Sequence, residues 1–365
     1  MKQKGKTFYF IGIGGIGMSA LAIHLFDQGN KVMGYDKTPS TITSHLMDMG
    51  ISVIFDASVS AIPDDYCQQG TQIIYTPAVP SEHPQLRFFS SRGNEIKKRA
   101  QVLGEITKGS IVFAIAGTHG KTTTASFLTH LFAHLNLEFT AFLGGIMKQY
   151  QSNIIQKGSR YFIVEADEYD QSFLQLHPDY ACITATDADH LDIYGDHANM
   201  KKAFIQFSER VTQKIVVAQG VDINGIGYSV DDKTNYFARN ILASEQGYHF
   251  DLVTPSRIYN NVYLKSIGEH NLSNAIGALA ILDTAGFPVE EALPALGHFE
   301  GIHRRMEVFS LYDKLIIDDY AHHPKEIKAV LNTVSEFFPN KKNMVALSLL
   351  RRKIKKSCMQ WIVIY

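Results

Sequence analysis

The chain has 365 residues, 45% of them hydrophobic, and a formal net charge of −1. That length suggests two or three domains with ordinary cores, and the near-neutral balance gives no support for nucleic-acid or membrane binding. Cys67, Cys182 and Cys358 are widely spaced and form neither a metal pattern nor a disulfide framework, which suits a reducing cytoplasm. The basic start runs into an apolar stretch broken by glycines, so it reads as a strand and turn and not as a signal peptide. No run approaches the roughly 18 apolar residues of a membrane span.

In chain order, Thr7-Phe8-Tyr9-Phe10-Ile11 reads as a strand. Gly12-Ile13-Gly14-Gly15-Ile16-Gly17 follows, then a helix through Met18, Leu21, Ala22 and Leu25. A second strand, 31–35, ends at Asp36, completing a βαβ unit of the dinucleotide-binding kind. Ile51–Ile54 and Gln72–Tyr75 continue the alternation, and Pro77, Pro80 and Pro84 mark a loop. The first domain is expected to end near residue 105.

The second domain opens with Ile111-Val112-Phe113-Ala114-Ile115, a buried-strand pattern. Gly117-Thr118-His119-Gly120-Lys121-Thr122-Thr123 follows, and Phe127, Leu128, Leu131, Phe132 and Leu135 then repeat at helical spacing. Strand, glycine turn and helix make a phosphate cradle, because backbone N–H groups and the helix N-terminus both favour an anion. Lys121 would reach the terminal phosphates and Thr122 would hold Mg²⁺. The full Walker pattern wants an earlier glycine, where this chain has Ile115 and Ala116, so the loop is a shortened variant. An ordinary strand–turn–helix with a surface lysine is the plain alternative.

Two further apolar strands end in acids: Arg160–Val164 before Glu165, and Tyr180–Thr184 before the loop 187–192 that holds His190. Glu165 sits like a Walker-B acid, suited to Mg²⁺ directly or through water. A solvated strand-end carboxylate is the bland reading of Glu165, and a hydrogen-bonded loop histidine that of His190. A fourth strand covers 214–218, residues 223–265 look β-rich, and a helix begins at Gly268-Glu269-His270-Asn271. A third unit starts near Met306, with a strand ending in Asp318-Asp319 and a helix through Ile327, Val330, Leu331 and Val334. Gly12–Gly17 with Asp36, taken alone, suggests NAD and an oxidoreductase. The second cradle favours a diphosphate substrate on one loop and ATP on the other.

Seven strings together resemble the Mur ligases, the ATP-dependent amide-bond-forming enzymes of peptidoglycan synthesis. They are Phe10–Met18, Gly117–Thr124, Glu165-Ala166-Asp167-Glu168-Tyr169-Asp170 with Ser172-Phe173, Asp189-His190-Leu191-Asp192, Gly268–Asn271 with Asn274, His303-Arg304-Arg305-Met306-Glu307, and Asp318–Pro324. The chain is most similar to members that join L-alanine to UDP-N-acetylmuramate; those that recycle murein tripeptide rank second.

The resemblance implies an α/β protein of three domains. These are a Rossmann-like domain over 1–105 for the UDP substrate, a central P-loop ATPase-like domain over 106–305, and a partial Rossmann-like ligase domain over 306–365. It implies that ATP phosphorylates the muramate carboxylate and that L-alanine attacks the acyl phosphate. By motif, Gly12, Gly14, Gly15, Gly17 and Asp36 serve the UDP substrate. Gly117, Thr118, His119, Gly120, Lys121, Thr122, Thr123, Asn271, Asn274, Arg305 and Asp319 serve ATP. Thr122, Glu165 and His190 serve Mg²⁺, with Lys121, Glu165 and His190 as the catalytic set. Arg304 competes with Arg305; Arg305 is preferred because it directly precedes an apolar residue and a glutamate.

After Pro339 the sequence departs from the resemblance. The tail holds five basic residues within 351–356. A truncation or shifted frame is expected, with a weakly held C-terminal segment and with ligation by this chain in doubt.

Overall fold

The computed structural model describes residues 5–187, 194, 196–231, 233–244, 246–312, 314–339, 343–352 and 355–364. Its first sheet is fully parallel. It holds β1 (Thr7–Ile11), β2 (Lys31–Tyr35), β3 (Ser52–Ile54), β4 (Gln72–Tyr75) and β5 (Ile96–Lys98), in the order β3-β2-β1-β4-β5. Helices α1 (Ile16–Asp27), α2 (Thr41–Asp48), α3 (Pro84–Ser91) and α4 (Arg99–Ile106) connect or flank these strands. The β1–α1–β2 unit stands where the sequence pattern puts it.

The central sheet contains β6 (Ile111–Ala116), β7 (Phe139–Met147), β8 (Ser152–Gln156), β9 (Tyr161–Ala166), β10 (Tyr180–Ile183), β11 (Lys214–Ala218) and β12 (Ile226–Tyr228). Their order is β12-β11-β10-β6-β9-β7-β8, parallel except for β8 at one edge. Strand β6 lies at the centre, buried on both faces from Val112 onward, which is why its sequence is a continuous apolar run.

Helix α5 (Lys121–His134) follows β6, and α6 (His197–Ser208) precedes β11. Nearly all of α5 is buried, polar Thr122–Thr124 and Ser126 included. The sequence shows only its apolar stripe. The other side is covered as well, because α7 (Glu269–Thr284) packs against it within the same core as β7 and β9.

A three-stranded antiparallel sheet, β13 (Phe237–Ser244), β14 (Gly247–Val253) and β15 (Ile258–Leu264), lies between β12 and α7 in the chain. After the short α8 (Val289–Ala292) comes the last sheet: β16 (Glu307–Leu311), β17 (Lys314–Asp319), β18 (Asn343–Arg352) and β19 (Lys355–Ile364). It pairs antiparallel throughout in the order β16-β17-β19-β18, with α9 (Pro324–Phe337) in the connection from β17 to β18. The tail beyond Pro339 thus forms a hairpin whose inner strand pairs with β17. Among the described side chains, its local core holds Ile267, Met306, Ile317, Ala321, Val330 and Val334.

The first two sheets share one core. Leu21, Ala22 and Leu25 of α1 belong to the same buried cluster as Phe142, Ile154 and Phe162 of the central sheet. Asn153 Nδ2 donates to the Ile16 carbonyl at 2.5 Å and to Ser19 Oγ at 3.0 Å, and Gln156 Nε2 donates to Asp27 at 2.7 Å. Helix α1 is therefore clamped between the sheets, and the loop that starts it is fixed relative to β7 and β9. Among the described residues no helix is long and apolar enough to cross a membrane.

Candidate functional site

The Gly12–Gly17 loop is built by β1 and β2. Gly12 (φ 87°) turns the chain off β1 in a region that favours glycine. The N–H groups of Gly12 and Ile13 donate to the Tyr35 carbonyl at 2.8 and 3.0 Å. Asp36 accepts from the Gly14 N–H at 2.7 Å, so its carboxylate braces the loop from within the chain. A Cβ on Gly14 would fall 2.7 Å from Thr43 Cγ2, which forbids a side chain there. Gly15 and Gly17 line a cavity of about 310 Å³; Gly12, Gly14 and Asp36 do not.

The opposite wall of that cavity carries Thr122 and Glu165. Glu165 ends β9 beside β6, and Thr122 opens α5. The Thr122 hydroxyl donates to Glu165 Oε1 at 3.0 Å, and the Gly144 N–H donates to Oε2 at 2.7 Å. Two hard oxygen groups side by side next to a phosphate loop fit Mg²⁺, which keeps several waters and needs only one or two protein oxygens. His190 lies outside the described residues.

Lys121 does not extend into open space. Its ammonium donates to the Gly117 carbonyl at 2.5 Å and lies 2.8–3.0 Å from both oxygens of Glu168. The Glu168 side chain is 1% exposed and that of Lys121 14%. Burial works against the lysine's charge, but Glu168, Asp167 and Glu165 outweigh it and keep the ammonium protonated. Burial pushes the Glu168 carboxyl up, opposed by the charge of Lys121.

A second cavity of about 230 Å³ opens on the other side of the phosphate loop. His119, Gly120, Thr123, Asn271, Asn274 and Asp319 are among its walls. Gly120 (φ 79°) begins α5, and Thr124 donates to Asn274 Oδ1 at 3.2 Å. Asn271 spends its amide on the Ile267 carbonyl at 2.8 Å. Asp319 accepts from Met306 N–H at 2.8 Å and Ala321 N–H at 2.7 Å, so it braces the turn before β16. Burial pushes its carboxyl up, against Arg305 and those two N–H groups.

Arg305 lines both cavities, whereas Arg304 lines neither. Gly117 and Thr118 line neither cavity. Thr118 instead locks the loop, its N–H on the Ala185 carbonyl at 3.0 Å and its hydroxyl accepting from Asp187 N–H at 3.1 Å.

Glu326, Lys325, His270, Lys98 and Arg99 have no role in the sequence reading, yet they stand in these walls. His119 Nδ1 lies 3.0 Å from Glu326 Oε1 at the start of α9, and Lys325 reaches Asp187 at 2.5 Å. Burial would raise Glu326, but His119 and the His322 N–H hold its carboxyl well below the ordinary range. His270, buried beside Arg305, is pushed down to about 4 by burial and that cation. Glu168 was visible inside a quoted string, but its ion pair with Lys121 needs the fold. Lys98 and Arg99 carry no local signal.

Three family descriptions match the chain in order. They are "Mur ligase family, catalytic domain" at residues 7–110, "Mur ligase middle domain" at 115–282, and "Mur ligase, glutamate ligase domain" at 304–361. The third runs well past Pro339. A UDP-N-acetylmuramate–L-alanine ligase of Flavobacterium johnsoniae is 46% identical over 340 residues, covering 92% of this chain and 76% of the relative. One from Porphyromonas gingivalis is 41% identical over 350 residues, covering 92% and 77%. The crystal structure of the UDP-N-acetylmuramate–alanine ligase of Thermotoga maritima superposes with a TM-score of 0.83 at 32% identity, over 92% of this chain and 79% of that one. A murein peptide ligase from Psychrobacter arcticus shares the fold, with a TM-score of 0.74 at 23% identity over 92% and 77%.

Proposed function

Because the chain belongs to the Mur ligase family, we propose that it joins L-alanine to UDP-N-acetylmuramate with ATP, the reaction for which its Flavobacterium and Thermotoga relatives are named. One observation carries the reading: a single cavity has Gly15 and Gly17 on one wall and Thr122 and Glu165 on the other. An acceptor anchored by its diphosphate on the first wall presents its carboxylate to a phosphoryl donor on the second.

A carboxylate is a poor electrophile, so it needs a leaving group. Its oxygen attacks the γ-phosphorus, the bond to the ADP oxygen breaks, and an acyl phosphate results. The amine of L-alanine then attacks the acyl carbon; phosphate leaves and the nitrogen loses its proton. The protein's share is positioning and charge neutralisation. Lys121 supplies the cation, after exchanging Glu168 for phosphate. Thr122 and Glu165 would hold Mg²⁺, which spreads phosphate charge when bound. Asn271, Asn274, Arg305 and Asp319 would surround the nucleoside in the second cavity. The division 1–105, 106–305 and 306–365 assigns the UDP substrate, ATP and the amino acid to successive units.

The test is phosphate release from ATP, with each of UDP-N-acetylmuramate and L-alanine omitted in turn. Release that needs both and yields the amide supports the reading. Release indifferent to UDP-N-acetylmuramate, or product only with murein tripeptide in place of L-alanine, overturns it.

A further inference from the structure

The junction of β5 and α4 puts two cations, Lys98 and Arg99, into the cavity between the two phosphate cradles. They face two carboxylates from the segment after β9, and the two pairs differ. Lys98 Nζ is 2.6 Å from Asp170 Oδ2, a full charge-assisted hydrogen bond. Arg99 comes only within 3.8 Å of Asp167, beyond hydrogen-bond reach. Among the described residues, Lys98 is committed to the chain and Arg99 is not.

The guanidinium of Arg99 is mostly buried nonetheless. Its side chain is 20% exposed, and it lies directly over the start of α1: a Cβ on Gly17 would sit 2.8 Å from Nη1 and 3.1 Å from Cζ. The last glycine of the loop thus leaves room for the close approach of an arginine. Five N–H donors in a planar fork, held at a glycine loop and helix N-terminus and lining a cavity, match a diphosphate better than any other group of the acceptor.

We infer that Arg99 holds the diphosphate of the nucleotide-sugar substrate against the Gly12–Gly17 loop, beside the Lys98–Asp170 bridge. The inference rests on the proposed acceptor. The bridge is built at a backbone cost, since Asp170 and Gln171 both adopt left-handed φ of 53°. Such strain persists only where surrounding structure enforces it. The strained turn turns Asp167 and Asp170 toward the first domain, and together they leave one cation occupied and the other available.

The experiment is calorimetric titration of the full chain with uridine, UDP and UDP-N-acetylmuramate, for the parent, Arg99→Gln and Arg99→Lys. Arg99→Gln is expected to weaken UDP and UDP-N-acetylmuramate by at least about tenfold, the order expected for a lost hydrogen bond to a charged group. Uridine and ATP affinities stay at parental values, which also certifies the fold. Arg99→Lys falls between, because an ammonium cannot bind bidentately; it carries the test if the glutamine variant does not fold. Parental UDP affinity in Arg99→Gln overturns the role of Arg99 alone. A loss seen with UDP-N-acetylmuramate but not with UDP also overturns it, by moving Arg99 to the carboxylate. A parent that binds no uridine diphosphate at all overturns the proposed function and this inference together.

Discussion

Lys121→Met should damage the fold as well as the chemistry, which the sequence alone does not suggest. The motif by itself predicts lost turnover in an intact protein. In the structure Lys121 neutralises Glu168, whose side chain is 1% exposed. Removing one member of a buried ion pair typically costs about 3–5 kcal/mol, because the other charge stays behind uncompensated. The remaining Glu168 carboxyl can relieve that penalty by taking up a proton. For a carboxyl of ordinary pKa near 4.3, at about 1.36 kcal/mol per pH unit, that caps the penalty at roughly 3.7 kcal/mol at pH 7 and about 1 kcal/mol at pH 5.

The folded carboxyl is raised above its unfolded value, so the folded state holds the extra proton and stability falls as pH rises above about 4.3. Lys121→Met is thus expected to be strongly destabilised at pH 8 and nearly parental near pH 5. The double variant Lys121→Met/Glu168→Gln removes the orphaned charge. It should recover most of the stability at pH 8 and none of the ATP turnover. Urea melts at both pH values, with phosphate release alongside, decide the matter. A pH-independent loss in Lys121→Met, or a double variant no more stable than the single, refutes the reasoning.

Three other outcomes follow from the same geometry. Gly144→Ala places a Cβ 2.7 Å from Glu165 Cδ, so the carboxylate must move off Thr122; the Mg²⁺ concentration for half-maximal phosphate release should rise several-fold, and an unchanged Mg²⁺ curve counts against Glu165 as a ligand. Phe132→Ala should cost about 3–5 kcal/mol in a urea melt, because the fully buried ring meets Phe113, Phe139, Tyr161 and Phe287. The Glu326 carboxyl is depressed by His119 and the His322 N–H, so its stabilisation is complete above the ordinary carboxylate range and lost as pH falls below it. Glu326→Gln should therefore be less stable than the parent at pH 7, with the gap closing below about pH 4.5; a gap constant with pH would remove Glu326 from the link between α9 and the phosphate loop.

Both cradles were legible because each is a local device. Strand, glycine turn and helix are adjacent in the chain, and their glycines and apolar periods are readable one residue at a time. Glu165 was legible for the same reason, as an acid closing an apolar strand. The braces were not. Asp36 suggests a nucleotide ligand in the sequence, NAD taken alone and the UDP substrate by resemblance, yet its carboxylate is held by the Gly14 N–H; the distance from β2 back to the loop is a tertiary fact. Lys121 points to phosphate by motif, but Glu168 lies 47 positions away in sequence and meets it only because β9 and β6 are neighbours. The choice of Arg305 over Arg304 rested on the residues after it; the turn places Arg305, and not its neighbour, on both cavities.

That turn and the one after β9 share a physical signature. Arg304 (φ 62°) and Met306 (φ 45°) flank Arg305, as Asp170 and Gln171 form the kink beside Asp167. Left-handed backbone at such residues costs on the order of 1–3 kcal/mol each, and neither turn has a glycine to relieve it. Each is held by a side chain that accepts backbone N–H groups: Asp319 from Met306 and Ala321, Asp167 from Tyr169. Both turns deliver their residues to the same cavity, Arg305 to one part of its lining and Asp167 to another. Local preference is thus broken at the boundaries where separate sheets must present groups to one substrate. The shared core under α1, which takes in Ala166 and Phe173, backs the turn after β9, and the core of Met306, Ile317 and Val330 backs the other.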